Sequence, residues 1–221
     1  MIDTINVIGR GRVGSAVAAR MVERGLTLAE HRPELVLLCV PDRAIAEVAA
    51  DIAPGPWVAH VSGATPLASL APHSKRFSVH PLQTFTRRRG PEQLDGAWAA
   101  VTAENDEARA VANWLATTLS LYPFPLLDED RAAYHAGAAM ASNYLVTLRH
   151  AAGSLLEAAG APPEALDPLM TRTIENDFEL TGPIQRGDWA TVERHLDAIR
   201  QACPELEAMY RVLADATVVV A

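Results

Sequence analysis

Lysine is nearly absent from this chain: Lys75 stands alone, and arginine carries the rest of the positive charge. Basic residues are outnumbered as a class, 19 Lys and Arg against 27 Asp and Glu, for a formal charge of -8. Phosphate backbones select basic faces, so nucleic acid is not an expected partner. The single basic run, Arg87-Arg88-Arg89, is too short to reverse that. Cysteine is scarce as well. Cys39 and Cys203 give neither a disulfide framework nor metal-ligand spacing, which leaves the reducing cytoplasm as the expected compartment. No two histidines have ligand spacing on one element, so no metal is expected. No apolar stretch nears the roughly 20 residues of a membrane span, so no membrane partner is expected. The opening residues, with Asp3, lack a signal peptide's basic flank and apolar run. Repeats and low-complexity linkers are missing too. With 49% hydrophobic and 21% charged residues, the composition is that of a globular chain with room for one large domain or two modest ones.

Residues 1–127 alternate strand-like and helix-like stretches. Ile5-Asn6-Val7-Ile8 is a short apolar run, and residues 15–24 read as a helix closed by Gly25. Leu35-Val36-Leu37-Leu38-Cys39-Val40 is continuously apolar, as a strand covered on both faces would be. Further strands are expected at 57–61, 77–79 and 98–102, with helices at 43–53 and 106–119. Residues 121–126 suit an edge strand, since Pro123 and Pro125 each remove a ladder donor. This alternation predicts an α/β domain with a mainly parallel sheet. Residues 128–221 change character and predict a second, all-helical domain. One helix of about 30 residues, roughly 45 Å long, is expected from Asp128 to Ala159. Two more follow at 163–180 and from Asp188 to about Ala214, joined by Thr181-Gly182-Pro183-Ile184-Gln185-Arg186-Gly187. Tyr144, Phe178 and Trp189 are expected in the core, and the apolar tail Val218-Val219-Val220 is expected to dock against the protein.

Gly9-Arg10-Gly11-Arg12-Val13-Gly14 lies immediately after the first strand and opens the first helix. A GxGxxG in that position is a Rossmann-type dinucleotide loop: the first glycine permits the turn, the second lets backbone approach a pyrophosphate, and the third lets helix and strand pack closely. Amide groups at the helix start then face the anion. The alternative is a glycine-rich turn with no ligand. Arg10 and Arg12 can reach a phosphate, which favours NADP over NAD. A Rossmann unit places a ribose-binding acid about 20 residues further on, at the end of the second strand. Only residues 26–34 precede the strong strand at Leu35, too few for a second strand and a crossover helix, because a parallel crossover needs about a dozen. The sheet is therefore expected to be shortened after the first βα unit, with Glu30 and Asp42 as candidate ribose contacts.

Ligands of open α/β sheets bind beyond the carboxyl ends of the strands. Val40-Pro41-Asp42, Ser62-Gly63-Ala64 and His80-Pro81 should lie there. Ser62 offers a hydroxyl, while Gly63 and Ala64 offer backbone amides for a carboxylate or oxyanion; a plain strand-to-helix turn is the alternative. Hydride transfer needs a partner for the accompanying proton, and histidine suits neutral pH. His80 stands at a strand end. His135 stands on the long helix, with Ser142 seven residues later on the same expected face and Asn143 beside it. Arg186 could clamp an anionic substrate, perching on a loop that otherwise only joins helices. Structural roles for His80, His135 and Asn143 are the competing readings. His60 is expected to be structural, and His31, His73, His150 and His195 to be surface residues.

These stretches, with His80-Pro81-Leu82-Gln83-Thr84-Phe85, Tyr134-His135-Ala136, Ala141-Ser142-Asn143 and the 180–188 loop, resemble a bacterial family with a Rossmann-like N-terminal domain and a helical C-terminal domain of unassigned function. Its architecture is similar to 6-phosphogluconate dehydrogenase, pyrroline-5-carboxylate reductase and prephenate dehydrogenase. The resemblance implies NAD(P) binding and a homodimer made through the helical domain. In related hydroxyacid dehydrogenases this helix carries a lysine four residues before an asparagine; here that position is Ala139. The leading expectation is an NAD(P)-dependent oxidoreductase acting on a small, anionic hydroxy-acid or imine-type molecule. The alternatives are a non-catalytic nucleotide-sensing or interaction protein with a degenerate cofactor site, and a prephenate- or arogenate-like dehydrogenase.

Overall fold

A computed structural model describes residues 2–221, which divide into two compact units, Met1–Ala139 and Met140–Ala221. The first unit is a seven-stranded sheet. Its strands are β1 (Thr4–Ile8), β2 (Thr27–Leu28), β3 (Leu35–Leu38), β4 (Trp57–His60), β5 (Arg76–Pro81), β6 (Trp98–Ala103) and β7 (Tyr122–Pro125), in the order β2-β1-β3-β4-β5-β6-β7. Every pairing is parallel except β5 with β6. The carboxyl ends of β1 to β5 therefore share one edge.

Burial explains the central strand. Leu35 and Leu37 join the core packed by α1 (Arg12–Glu23) and α3 (Asp106–Thr118), while Val36 and Leu38 join the core under α2 (Ile45–Ala50). Alternate side chains thus feed opposite faces, both covered, so no polar position interrupts the run. Pro123 and Pro125 fall in β7, whose sole partner is β6, where a missing donor disturbs nothing.

The segment after α1 holds a remnant strand and no crossover helix. Thr27–Leu28 is a two-residue remnant at the sheet edge, and β3 pairs directly with the other side of β1. No helix spans residues 29–34, which cross β1 as a bare loop tied by Ala29 N–H to Ile5 and Glu34 N–H to Thr4. Leu28 is level with Ile5, three residues short of the end of β1 at Ile8. The acid at position 30 thus follows a strand that stops about 10 Å below the glycine loop.

Helix α4 (Arg131–Ala139) packs with the sheet unit rather than with the helices that follow, so the division falls later than the 127/128 boundary expected from composition. The expected single helix to Ala159 is interrupted by a π-helical segment, Met140–Tyr144, before α5 (Leu145–Ala158). That segment has a wider turn than the 3.6-residue helix the sequence pattern assumes.

Within the second unit, α6 (Leu166–Glu175), α7 (Trp189–Ala202) and α8 (Glu207–Val220) complete the helices. The stretch expected to run unbroken from Asp188 is split at Cys203, because Pro204 cannot donate within a helix and instead opens a new turn. Asp188 caps α7, accepting from the Thr191 amide at 3.1 Å and its hydroxyl at 2.7 Å. Two further expectations for this unit are corrected. Tyr144, Phe178 and Trp189 are exposed rather than core, and Val219 at the tail is 86% exposed rather than docked. This unit by itself buries few large side chains, chiefly Leu166, Val192, Leu196 and Ile199.

Candidate active site

The glycine loop is built by three different constraints. Gly9 has φ +98°, and a side chain there would strike the Cys39 carbonyl at 2.5 Å. Gly14 touches the opposite wall: a Cβ would lie 1.8 Å from the Gly9 carbonyl oxygen. Gly11 differs, since a Cβ there would meet nothing within 4 Å. Two glycines are fixed by packing and the middle one borders open space, the arrangement a pyrophosphate cradle requires. Helix α1 begins at Arg12, three residues earlier than its apolar pattern indicates, with Gly11 as N-cap, no side-chain cap and no acid in its first turn. Its first amides, among them those of Arg12, Val13 and Gly14, therefore keep their positive end free for an anion.

Val40, Pro41 and Asp42 follow β3, the strand beside β1. The Cys39 amide donates to Ile8 at 2.7 Å, which lays this turn along the loop. Cys39 itself is a packing residue: burial pushes its thiol up to about 12, so it is not a nucleophile.

His80 is the centre of the substrate side. Its Nδ1 lies 2.6 Å from the Tyr134 hydroxyl, with the rings edge to face at 5.5 Å, and the His135 ring is 6.3 Å away. Gly63 fits between them. A Cβ on it would meet His80 Cε1 at 2.8 Å and His135 Cδ2 at 3.0 Å, so only glycine lets the β4 turn touch both imidazoles. Burial, then the charges of His135 and Arg131, lower His80 to about 4, against a smaller opposite pull from Asp42. Burial raises Tyr134 to about 12. At neutral pH the pair is thus an uncharged imidazole and a protonated phenol. His135 is exposed beside them.

Arg131 holds this arrangement from beneath. It is 2% exposed and donates to Asp128 at 2.5 Å, to the Ser62 carbonyl at 3.2 Å and to the Ser78 hydroxyl. One guanidinium thereby ties the start of α4, which carries Tyr134 and His135, to the turn after β4 and to β5. Asp128 also accepts from the Leu67 amide at 3.0 Å. Sequence reasoning missed both Arg131 and Tyr134. Nothing in the local pattern marks an arginine at a helix start as buried, or a tyrosine as aimed at a strand 54 residues earlier.

Other candidates are placed differently. The Ser62 hydroxyl is buried and accepts the Ala64 and Thr65 amides at 3.2 and 3.0 Å. It closes its own turn instead of entering the cleft, and the Ala64 amide is engaged with it. His60 is fully buried, accepts from the Ser62 amide, and is lowered to about 3, mainly by burial; it is structural, as expected. His73, expected on the surface, is buried with Nε2 2.8 Å from the Ala49 carbonyl. Asn143 and Arg186 belong to the second unit. Asn143 is exposed in the π-helical segment, and the exposed Arg186 sits in the turn before Asp188. Among the described residues no His, Cys, Asp or Glu cluster could hold a metal, and no helix is long and apolar enough to cross a membrane.

The pattern of DUF2520, described as a domain of unknown function, matches residues 97–217, more than half of the chain. The chain belongs to the DUF2520 family. No curated protein matches it in sequence. Among solved structures, this DUF2520 protein is similar to a Bacteroides fragilis protein described as a candidate NADP oxidoreductase, with TM-score 0.80, 20% identity and 98% of each chain covered. A Thermotoga maritima protein aligns with TM-score 0.76 and 23% identity over 96% of each chain. An imine reductase from Pseudomonas aligns with TM-score 0.61 and 15% identity over 99% of this chain and 96% of that one. At such identities the likeness is one of fold: a Rossmann-type sheet domain followed by a helical domain.

Proposed function

We propose that this DUF2520 protein is an NAD(P)-dependent oxidoreductase acting on a small anionic molecule of the hydroxy-acid or imine type. The observation that carries this reading is the glycine cradle, closed by packing at Gly9 and Gly14 and open at Gly11. Residues 9–14 would hold the pyrophosphate, with Val40, Pro41 and Asp42 along its flank. Arg10 and Arg12 favour NADP. A bound nicotinamide would supply the hydride acceptor or donor. Three strand spacings, about 14 Å, separate β1 from β5, a span suited to the nicotinamide half and a small substrate.

The protein's own part is to move the proton. Tyr134 holds one at Oη, and neutral His80, within hydrogen-bond reach, orients that phenol for exchange with the substrate. His135, exposed beside them, links the pair to substrate or solvent. Gly63 sets the approach of both imidazoles, while Ser62 holds the turn that carries it. Asn143 and Arg186 are proposed to bind the substrate's polar and anionic groups. The exposed apolar surface of residues 140–221 supports a homodimer, and the scarcity of cysteine favours a cytoplasmic setting.

Titration with NADPH and NADH, followed by tryptophan fluorescence and melting temperature, tests the reading. Ligand at about 100 times its dissociation constant adds roughly 2.7 kcal/mol, which is about 5–10 °C for a chain of this size. No response to either dinucleotide at about millimolar concentration refutes the cofactor assignment. The two-residue β2 favours a second reading, a dinucleotide-sensing module without turnover. His80→Ala and His135→Ala separate the two: in an enzyme both retain binding and lose turnover.

A further inference from the structure

The arginine run that charge arithmetic sets aside is held beside the glycine loop. A cavity of about 230 Å³ is lined by Arg10, Gly11, Arg12, Arg87 and Arg89, and by Ser15, Ala16 and Ala19 of α1. Residues 86–91 do not hang loosely there. Gln93, 3% exposed, accepts the Thr86 amide at 2.7 Å and donates to the carbonyls of Arg89 and Gly90 at 2.8 and 2.9 Å. Arg20, also buried, donates from α1 to the Pro91 carbonyl at 2.9 Å and to Asp95 at 2.6 Å. Gln93 thus closes the segment on itself, and Arg20 ties it to α1.

The charges gathered there are largely uncompensated. Glu92 approaches Arg89 at 3.7 Å, and Arg10, Arg12 and Arg87 have no ion pair among the described residues. Four exposed guanidinium groups around one cavity, in a chain of net charge -8, favour an anion there. The cavity is more than the pyrophosphate cradle. Ala16 and Ala19 lie four and seven residues past Arg12, about 6 and 10 Å down the side of α1. The volume is room enough for one anionic group with its hydration. Residues 86–91 also reach α1 from β5, whereas β2, along which an adenosine half would run, lies on the far side of β1.

We propose that this cavity is a second anion subsite, which takes a phosphate-class dianion beside the glycine loop. Forked guanidinium donors match the several oxygens of such a group. The subsite goes beyond the cofactor reading and does not need it.

Isothermal titration calorimetry with inorganic phosphate, NADH and NADPH tests it, on wild type and on Arg87→Ala/Arg89→Ala. Both arginines are exposed, and an unchanged melting temperature verifies folding. Phosphate should bind wild type and weaken by at least about tenfold without the two arginines. Loss of NADPH affinity alone assigns the dianion to the cofactor's 2′-phosphate. Unchanged affinity for both dinucleotides assigns it to a second small molecule. Absence of phosphate binding to wild type, indifference to the arginine variant, or equal loss of NADH and NADPH overturns the separate subsite. Arginine-dependent phosphate binding without binding of either dinucleotide retains the subsite and removes the cofactor assignment.

Discussion

Replacing Arg131 with methionine should both destabilise the sheet unit and retune His80. The methionine keeps much of the side-chain volume, so the loss is mainly one of charge and hydrogen bonds. Three acceptors are stranded: Asp128, the Ser62 carbonyl and the Ser78 hydroxyl. Breaking a buried ion pair by removing one partner costs about 3–5 kcal/mol. The Asp128 side chain is 39% exposed, and it keeps the Leu67 amide, so solvent relieves part of that cost. About 3 kcal/mol is the resulting expectation, or a melting temperature roughly 6–12 °C lower. Arg131→Met/Asp128→Asn removes both charges and should recover part of the loss, because the unpaired carboxylate causes much of it. The Arg131 charge also helps to hold down His80, so NMR titration of the variant should show that imidazole with a raised pKa. A cost under about 1 kcal/mol, with His80 unmoved, would refute the claim that Arg131 positions the site.

The glycine loop offers a contrast between neighbouring positions. Gly11→Ala should fold with an unchanged melting temperature and lose dinucleotide binding, whereas Gly14→Ala should be strongly destabilised, its Cβ having to displace the Gly9 carbonyl. Acid should destabilise the fold through His60 and His80. Both are held below their ordinary value in the native state, to about 3 and about 4. The unfolded chain therefore takes up protons first: stability is flat above about pH 6.5 and falls from there toward pH 4, by several kcal/mol in all. Urea midpoints unchanged between pH 7.5 and 4.5 would contradict those burials. The dimer is tested at α8, where Val212 and Val219, 69% and 86% exposed, lie seven residues apart on one face. Val212→Glu/Val219→Glu should sediment as a monomer at concentrations where the wild type is a dimer.

Periodicity and punctuation determined the frame of this protein from sequence alone. A parallel strand covered on both faces admits no polar position, so 35–38 could be read directly. Gly-x-Gly-x-x-Gly between strand and helix likewise declares its place, although the wall that Gly9 must clear is Cys39, which the fold brings in from the end of β3. So does Asp188, whose cap depends only on Thr191. The 26–34 segment was legible as too short, though not as a remnant strand plus a bare loop.

What tertiary structure alone decided are meetings between residues far apart in the chain. Tyr134 reaches His80, Arg131 reaches Ser62 and Ser78, and Arg87 and Arg89 stand beside Arg10 and Arg12. A propensity or a period describes neighbours along one element. Burial of a guanidinium, or the gathering of four of them around one cavity, depends on which elements the sheet order brings side by side. The same reason explains the exposed Tyr144, Phe178 and Trp189: an apolar helical stripe records that a face is to be covered, and only the packed molecule shows that this chain leaves it open.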